Sequence, residues 1–252
     1  MTDYNALREK WEELENFDFE GWDFTQISGK IKEEPLPWDY KEIIQEHLTK
    51  DMKLLDMGTG GGEFLLTLNH PYENIYATEG YEPNYELCME KLAPLGINVA
   101  RIIGDESLPF EDGFFDIIIN RHESFDSREV WRALKPDGIF ITQQVGGLNN
   151  KALSEFLIDE FEEIVSSDFT LHSISDELQA QSFKLIFKNE YFPYLRFYDM
   201  GALIQYAKVI EWEFPDFSVD NCFTQLCRLH DALEQKGYIE SKEHRFIIAV
   251  RK

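Results

Sequence analysis

Lys53-Leu54-Leu55-Asp56-Met57-Gly58-Thr59-Gly60-Gly61-Gly62-Glu63-Phe64 is the stretch from which the rest of the chain can be read. A short apolar run meets an acid, glycine then recurs at alternate positions, and Phe64, Leu65, Leu66 and Leu68 resume the apolar pattern. The pattern predicts a buried strand ending at Asp56, a tight turn and the first turn of a helix. Glycine suits a backbone that bends sharply and lets a ligand approach, because a Cβ would clash or forbid positive φ. Such a loop is also expected to turn the free N–H groups of a helix N-terminus toward a ligand.

The glycine spacing separates two nucleotide-type ligands. A dinucleotide fingerprint, G-x-G-x-x-G, needs a third glycine or alanine three places after Gly60. Glu63 stands there, a poor neighbour for a pyrophosphate. The pattern present is Asp56-x-Gly58-x-Gly60-x-Gly62, and it resembles motif I of the class I S-adenosylmethionine-dependent methyltransferases. That resemblance implies S-adenosyl-L-methionine as cofactor, with Asp56, Gly58, Thr59 and Gly60 holding its amino-acid end.

Outward from the loop, Asn74–Gly80 reads as a second strand with an acid at its carboxyl end, Glu79, which lies 19 positions beyond Gly60. A carboxylate at that place, followed by Gly80, can accept both hydroxyls of a ribose. Pro83 then opens a helix that Gly96 stops. A third strand over Val99–Ile103 runs into Gly104-Asp105-Glu106. Its likeness to the family implies that Asp105, with Glu106 as the close alternative, bonds the adenine amino group. A fourth strand, Ile117–Asn120, delivers Asn120-Arg121-His122-Glu123 to the carboxyl end of the sheet, where open α/β folds bind ligands. The turn Leu134-Lys135-Pro136-Asp137-Gly138 resembles the family's signature before a fifth strand, Ile139–Gln144. Asn149 or Asn150 can cap the next helix, with Leu153, Phe156, Leu157 and Phe161 inward.

The ends are less regular. Tyr4, Leu7, Trp11 and Leu14 share a helical face. The aromatic, acidic runs Phe17-Asp18-Phe19 and Trp22-Asp23-Phe24 follow as a loop. Phe183–Phe187 and His244–Val250 read as strands six and seven, the latter resembling the antiparallel insertion strand of the family's fold, and an aromatic-rich segment with two helix candidates separates them. That segment is similar to one in small, type 11-like bacterial methyltransferases. The expected fold is a doubly wound, mostly parallel seven-stranded α/β sheet of the Rossmann-like methyltransferase type. It has an N-terminal helical cap and an insertion between the last two strands. As domains this divides into a cap over 1–50, a cofactor core over 51–188, an aromatic insertion or lid over 189–242, and a last core strand over 243–252.

Composition narrows the partners. With 24 Lys and Arg against 48 Asp and Glu, the net charge of −24 disfavours nucleic acid, whose binding needs phosphate neutralisation. Three cysteines without metal-ligand spacing predict reduced packing residues, no metal site and a cytoplasmic setting. No apolar run approaches a membrane span. The expected activity is methylation of a nitrogen or oxygen on a small molecule. His122 and Glu123 are the candidates for a proton acceptor. Protein or RNA methylation, a non-catalytic cofactor-binding module and a homodimeric assembly stay open as alternatives.

Overall fold

The computed structural model describes residues 4–16 and 27–252, so the loop expected over Phe17–Phe24 lies outside the described residues. In chain order the helices are α1 (Tyr4–Glu15), α2 (Tyr40–Gln45), α3 (Glu63–Thr67), α4 (Glu82–Lys91), α5 (Ser127–Ala133), α6 (Lys151–Leu157), α7 (Leu171–Ala180), α8 (Met200–Val209) and α9 (Val219–Lys236). The strands are β1 (Ile31–Glu33), β2 (Leu54–Met57), β3 (Ile75–Glu79), β4 (Asn98–Arg101), β5 (Phe115–Arg121), β6 (Leu134–Val145), β7 (Lys184–Tyr191), β8 (Tyr194–Phe197), β9 (Ile239–Lys242) and β10 (Arg245–Arg251).

Residues divide into two compact units. One holds 37–145, 170–190 and 245–252; the other holds the described residues up to Leu36 with 146–169 and 191–244. The first unit contains a seven-stranded sheet of order β4-β3-β2-β5-β6-β10-β7. Pairings β2 with β3, β2 with β5, β3 with β4 and β5 with β6 are parallel. β10 runs antiparallel to β6, as the last strand was expected to do. All four residues of β2 are buried, the signature of a strand covered on both faces. Leu54, Ile75, Ala77, Ile117, Ile119, Ile141, Ile247 and Ala249 form one core with Tyr40 and Ile44 of α2. That packing draws residues 37–50, expected in the cap, into the sheet unit.

The second unit has its own core. Trp11, Leu195, Phe197, Leu203, Tyr206, Phe214, Phe217 and Leu226 are buried together, around a small antiparallel sheet of order β1-β8-β9. β8, α8, α9 and β9 constitute the insertion between the last two strands of the large sheet. Local signals set their ends. Asp199 and Ser218 cap α8 and α9 through their side chains, and Gly237, at φ +83°, ends α9 in the left-handed region.

Several boundaries differ from the sequence reading. β4 ends at Arg101; Ile102 is buried but Ile103 is fully exposed, because the chain turns toward Gly104 before the apolar run is finished. The Leu134–Gly138 turn belongs to β6, which pairs at Leu134 with Phe115, shifts register, and pairs again at Ile139 with Ile117. Asn150, at φ +51°, precedes α6 without capping it through its side chain, and Phe156 points outward at 40% exposure.

Candidate active site

The site is built at the carboxyl ends of β2, β3 and β5. Gly58, Gly60 and Gly62 have φ of +65°, +60° and +78°, which is why alternate residues must be glycine there. Most of the N–H groups of the loop ahead of α3 are tied to β3. Gly58 and Thr59 donate to the Thr78 carbonyl, and Gly62 donates to Thr59. Gly60 N–H donates to Glu79 Oε2 at 2.8 Å. Beneath the loop, the Cys88 thiol lies 2.9 Å from the Gly60 carbonyl. The Glu63 carboxylate lies against Gly61 of the loop and pairs with Lys91 at 3.0 Å.

Asp56 is only 5% exposed. Among the described residues it accepts one hydrogen bond, from Thr59 Oγ1 to Oδ2 at 2.7 Å. Burial pushes its carboxyl up to about 7; the Thr59 bond and the Arg121 charge act the other way, and Glu79 adds to the rise. Glu79 is also buried, and its second oxygen accepts from Tyr81 N–H at 2.9 Å. Gly80 follows it against Ile102. Asp105 accepts from the Ser124 hydroxyl. With Gly104 and Glu106 it lines a cleft of about 580 Å³ whose other walls are Phe125–Arg128, Glu177 of α7 and Gln181 just after that helix.

The end of β5 departs from expectation. Asn120 is fully buried, and its Oδ1 accepts from Thr142 Oγ1 at 2.8 Å and Gln144 Nε2 at 2.6 Å. Both acceptor positions of the amide are thereby filled, and its Nδ2 donates to the Ser124 carbonyl at 3.3 Å. Its carbonyl accepts from Tyr40 OH at 3.0 Å. Arg121 lies 4.4 Å over the Phe64 ring, a cation–π contact that joins β5 to α3.

His122 has φ +61°, a strained conformation for a non-glycine residue, and its N–H donates to the Gln143 carbonyl at 2.9 Å. The Gln143 side chain orients the ring. Trp38 Nε1, which can only donate, is 2.8 Å from Gln143 Oε1. Gln143 Nε2 therefore faces His122 Nε2, at 3.4 Å, as a donor. His122 Nε2 is then the acceptor and Nδ1 carries the proton. Desolvation, with the charges of Arg245 and Arg121, pushes the imidazole down to about 3. The residue is exposed, so water moderates the size of that shift but leaves the ring neutral at pH 7.

Glu123 lies across Gly58, and its carboxyl is raised by burial, then by the charge of Asp105, with Glu79 adding a smaller push. Its backbone carbonyl accepts from Gln144 Nε2 at 2.8 Å. The sequence reading missed Trp38, Tyr40, Thr142, Gln143 and Gln144. The legible signal was two adjacent amides ending an otherwise apolar strand, Ile139-Phe140-Ile141-Thr142-Gln143-Gln144. Trp38 gave no such sign.

Comparison with known proteins completes the picture. Residues 55–142, which contain the glycine loop, Glu79, Asp105 and the whole of β5, match the family described as methyltransferase domain. Residues 55–142 are thus a methyltransferase domain. No curated protein matches the chain. Among solved structures, the YcgJ protein of Bacillus subtilis is similar at 18% identity and a TM-score of 0.59, over 84% of this chain and 97% of that one. A candidate methyltransferase of Bacillus halodurans gives 16% and 0.55, over 85% and 98%. The [4+2]-cyclase SpnF gives 17% and 0.50, over 84% and 82%. At these identities the structures establish a shared fold only, and a fold does not name its reaction.

The residues of the methyltransferase domain fit its cofactor. Asp56 is buried at the loop with Oδ1 unengaged among the described residues, and Glu79 stands one strand away. Among the described residues no cluster suits a metal ion, and no helix is long and apolar enough to cross a membrane. Cys88, Cys222 and Cys227 are free thiols.

Proposed function

We propose that the domain transfers a methyl group from S-adenosylmethionine to a nitrogen or oxygen of a small molecule. The observation that carries this reading is the closure of the glycine loop on Glu79 beside buried Asp56. Bound cofactor would supply a methyl group already activated on a sulfonium. In this reading Asp56, Gly58, Thr59 and Gly60 hold the amino-acid end. Glu79, with Gly80 behind it, exchanges its bonds to Gly60 and Tyr81 for the ribose hydroxyls, and Asp105 with Glu106 serves the adenine side.

The chain's main task is then to hold the acceptor in line, a proximity effect worth roughly 7–11 kcal/mol. His122 and Glu123 divide the acceptor side. With Nε2 facing Gln143, His122 presents an Nδ1–H donor that can orient an acceptor atom. Glu123, whose carboxyl is raised, is the group able to take a proton from an attacking N–H or O–H. Carboxylates at 56, 79, 105 and 123 favour a neutral or cationic acceptor over a phosphate-bearing one.

A metabolite screen with methyl-labelled cofactor, read together with calorimetry, tests the proposal. The expected result is binding of S-adenosylmethionine, no binding of NAD, and label transfer to a small neutral or basic metabolite. Binding of NAD alone, or label transferred only to RNA or protein, would reject it.

A further inference from the structure

We propose that β7 is the seam of a homodimer, in which the strand pairs antiparallel with β7 of a second copy about a two-fold axis through Phe187. The pairing does not depend on the reaction catalysed. β7 (Lys184–Tyr191) ends the order of the large sheet, and among the described residues no strand pairs with its outer edge. Edge strands are usually short or blunted, because their free N–H and C=O groups are a template for another strand. The opposite edge obeys this rule: β4 has four residues, and Arg101 at its end pairs with Glu82. β7 has eight residues. Leu185, Ile186 and Phe187 in its middle are 43%, 37% and 37% exposed. Consecutive residues of a strand point to opposite faces, so this run leaves apolar surface open on both sides of the edge.

The two faces can be told apart. Lys188 Nζ reaches Ser175 Oγ of α7 at 3.3 Å, and Glu190 accepts from the Leu171 N–H at 3.2 Å. Lys184, Ile186, Lys188 and Glu190 therefore share the α7 side, and Leu185, Phe187 and Asn189 share the other.

A second copy is the occupant that the order of residues along β7 fits. A two-fold axis normal to a sheet keeps each residue on its own face, so it passes through one residue and sets that residue opposite itself. With the axis at Phe187 the two rings meet, Leu185 faces Asn189, Ile186 faces Lys188, and Lys184 faces Glu190 on each side of the axis. Aromatic pairs and opposite-charge pairs across strands are both favourable. Neighbouring registers are penalised. An axis at Ile186 sets Lys184 opposite Lys188, and an axis at Lys188 sets that lysine opposite itself. Like charges directly opposite one another destabilise a pair. An axis at Asn189 restores a Lys188–Glu190 pair but leaves Leu185 and Ile186 uncovered. The net charge of −24 makes most surfaces of two copies repel, whereas 184–190 carries two lysines against one glutamate.

Light scattering on the full chain tests this. The wild-type mass should be twice 29.6 kDa at about 100 μM, a concentration that registers even weak association. Phe187→Asp sets two carboxylates on the axis and should halve the measured mass, with the far-UV circular dichroism unchanged. Phe187→Cys should give a disulfide-linked dimer under mild oxidation, because directly opposite residues have Cα atoms about 4.5–5.5 Å apart, within disulfide reach. Asn189→Cys, facing Leu185, should stay uncrosslinked, as should the wild type with Cys88, Cys222 and Cys227. A single-chain mass for the wild type overturns the proposal. So does a dimer that survives Phe187→Asp, or crosslinking of Asn189→Cys as readily as Phe187→Cys.

Discussion

Asp56 shows how a single buried carboxyl can oppose stability. Its carboxyl titrates near 7 in the folded chain, against about 3.9 in an unfolded one. Below pH 4 it is neutral in both states. Between pH 4 and 7 only the unfolded chain ionises it, so stability falls as pH rises; above 7 the loss stays constant. The shift corresponds to a penalty on the order of 2–4 kcal/mol at pH 8. Asp56→Asn keeps an acceptor for Thr59 and removes the buried charge. It should raise the melting temperature at pH 8, leave it nearly unchanged at pH 4, and weaken S-adenosylmethionine binding. Thermal melts at the two pH values check the first part and titration the second; an equal effect at both pH values would assign the stabilisation elsewhere.

At the scale of elements, the two aromatics most readily taken for an acceptor pocket have different surroundings. Tyr206 of α8 is 6% exposed, packs edge-on against Phe197 and Phe214, and meets Asn150 Nδ2 at 3.0 Å through its hydroxyl. Tyr198, between β8 and α8, is 44% exposed. Tyr206→Ala should therefore cost about 3–5 kcal/mol by leaving a cavity and one unpaired N–H on Asn150, whose amide keeps its bond to Glu213. Tyr198→Ala should stay within about 1 kcal/mol, as surface changes usually do. Denaturant unfolding of both variants distinguishes them, and equal losses would show that Tyr206 is not held by its own unit's core.

For the whole molecule, the net charge of −24 sets the energetic background. Like charges spread over 252 residues repel one another, and the compact state suffers more than the unfolded one. Added salt screens that repulsion over a Debye length of about 8 Å at 0.15 M. Raising NaCl from 20 to about 300 mM should raise the melting temperature at pH 7.5, with a smaller rise near pH 4.5, where the net charge vanishes. A melting temperature that falls with salt at pH 7.5 would mean that specific ion pairs outweigh the general repulsion.

What could be read from the residues follows from range. Leu54–Met57, the alternate glycines, Glu79 and the apolar strands are local patterns, each constrained by the backbone it forms. They were enough for the parallel sheet, the antiparallel last strand and the cofactor loop. Partnerships between residues distant along the chain could not be read this way. Trp38 reaches Gln143 across 105 positions and so sets the His122 tautomer. The two donors from β6 that fill the acceptor positions of Asn120 lie 22 and 24 positions away. Glu123 acquired its place over Gly58 only when β5 was laid beside β2. Burial and hydrogen-bond saturation are properties of packed neighbours, and neighbours are chosen by the tertiary fold.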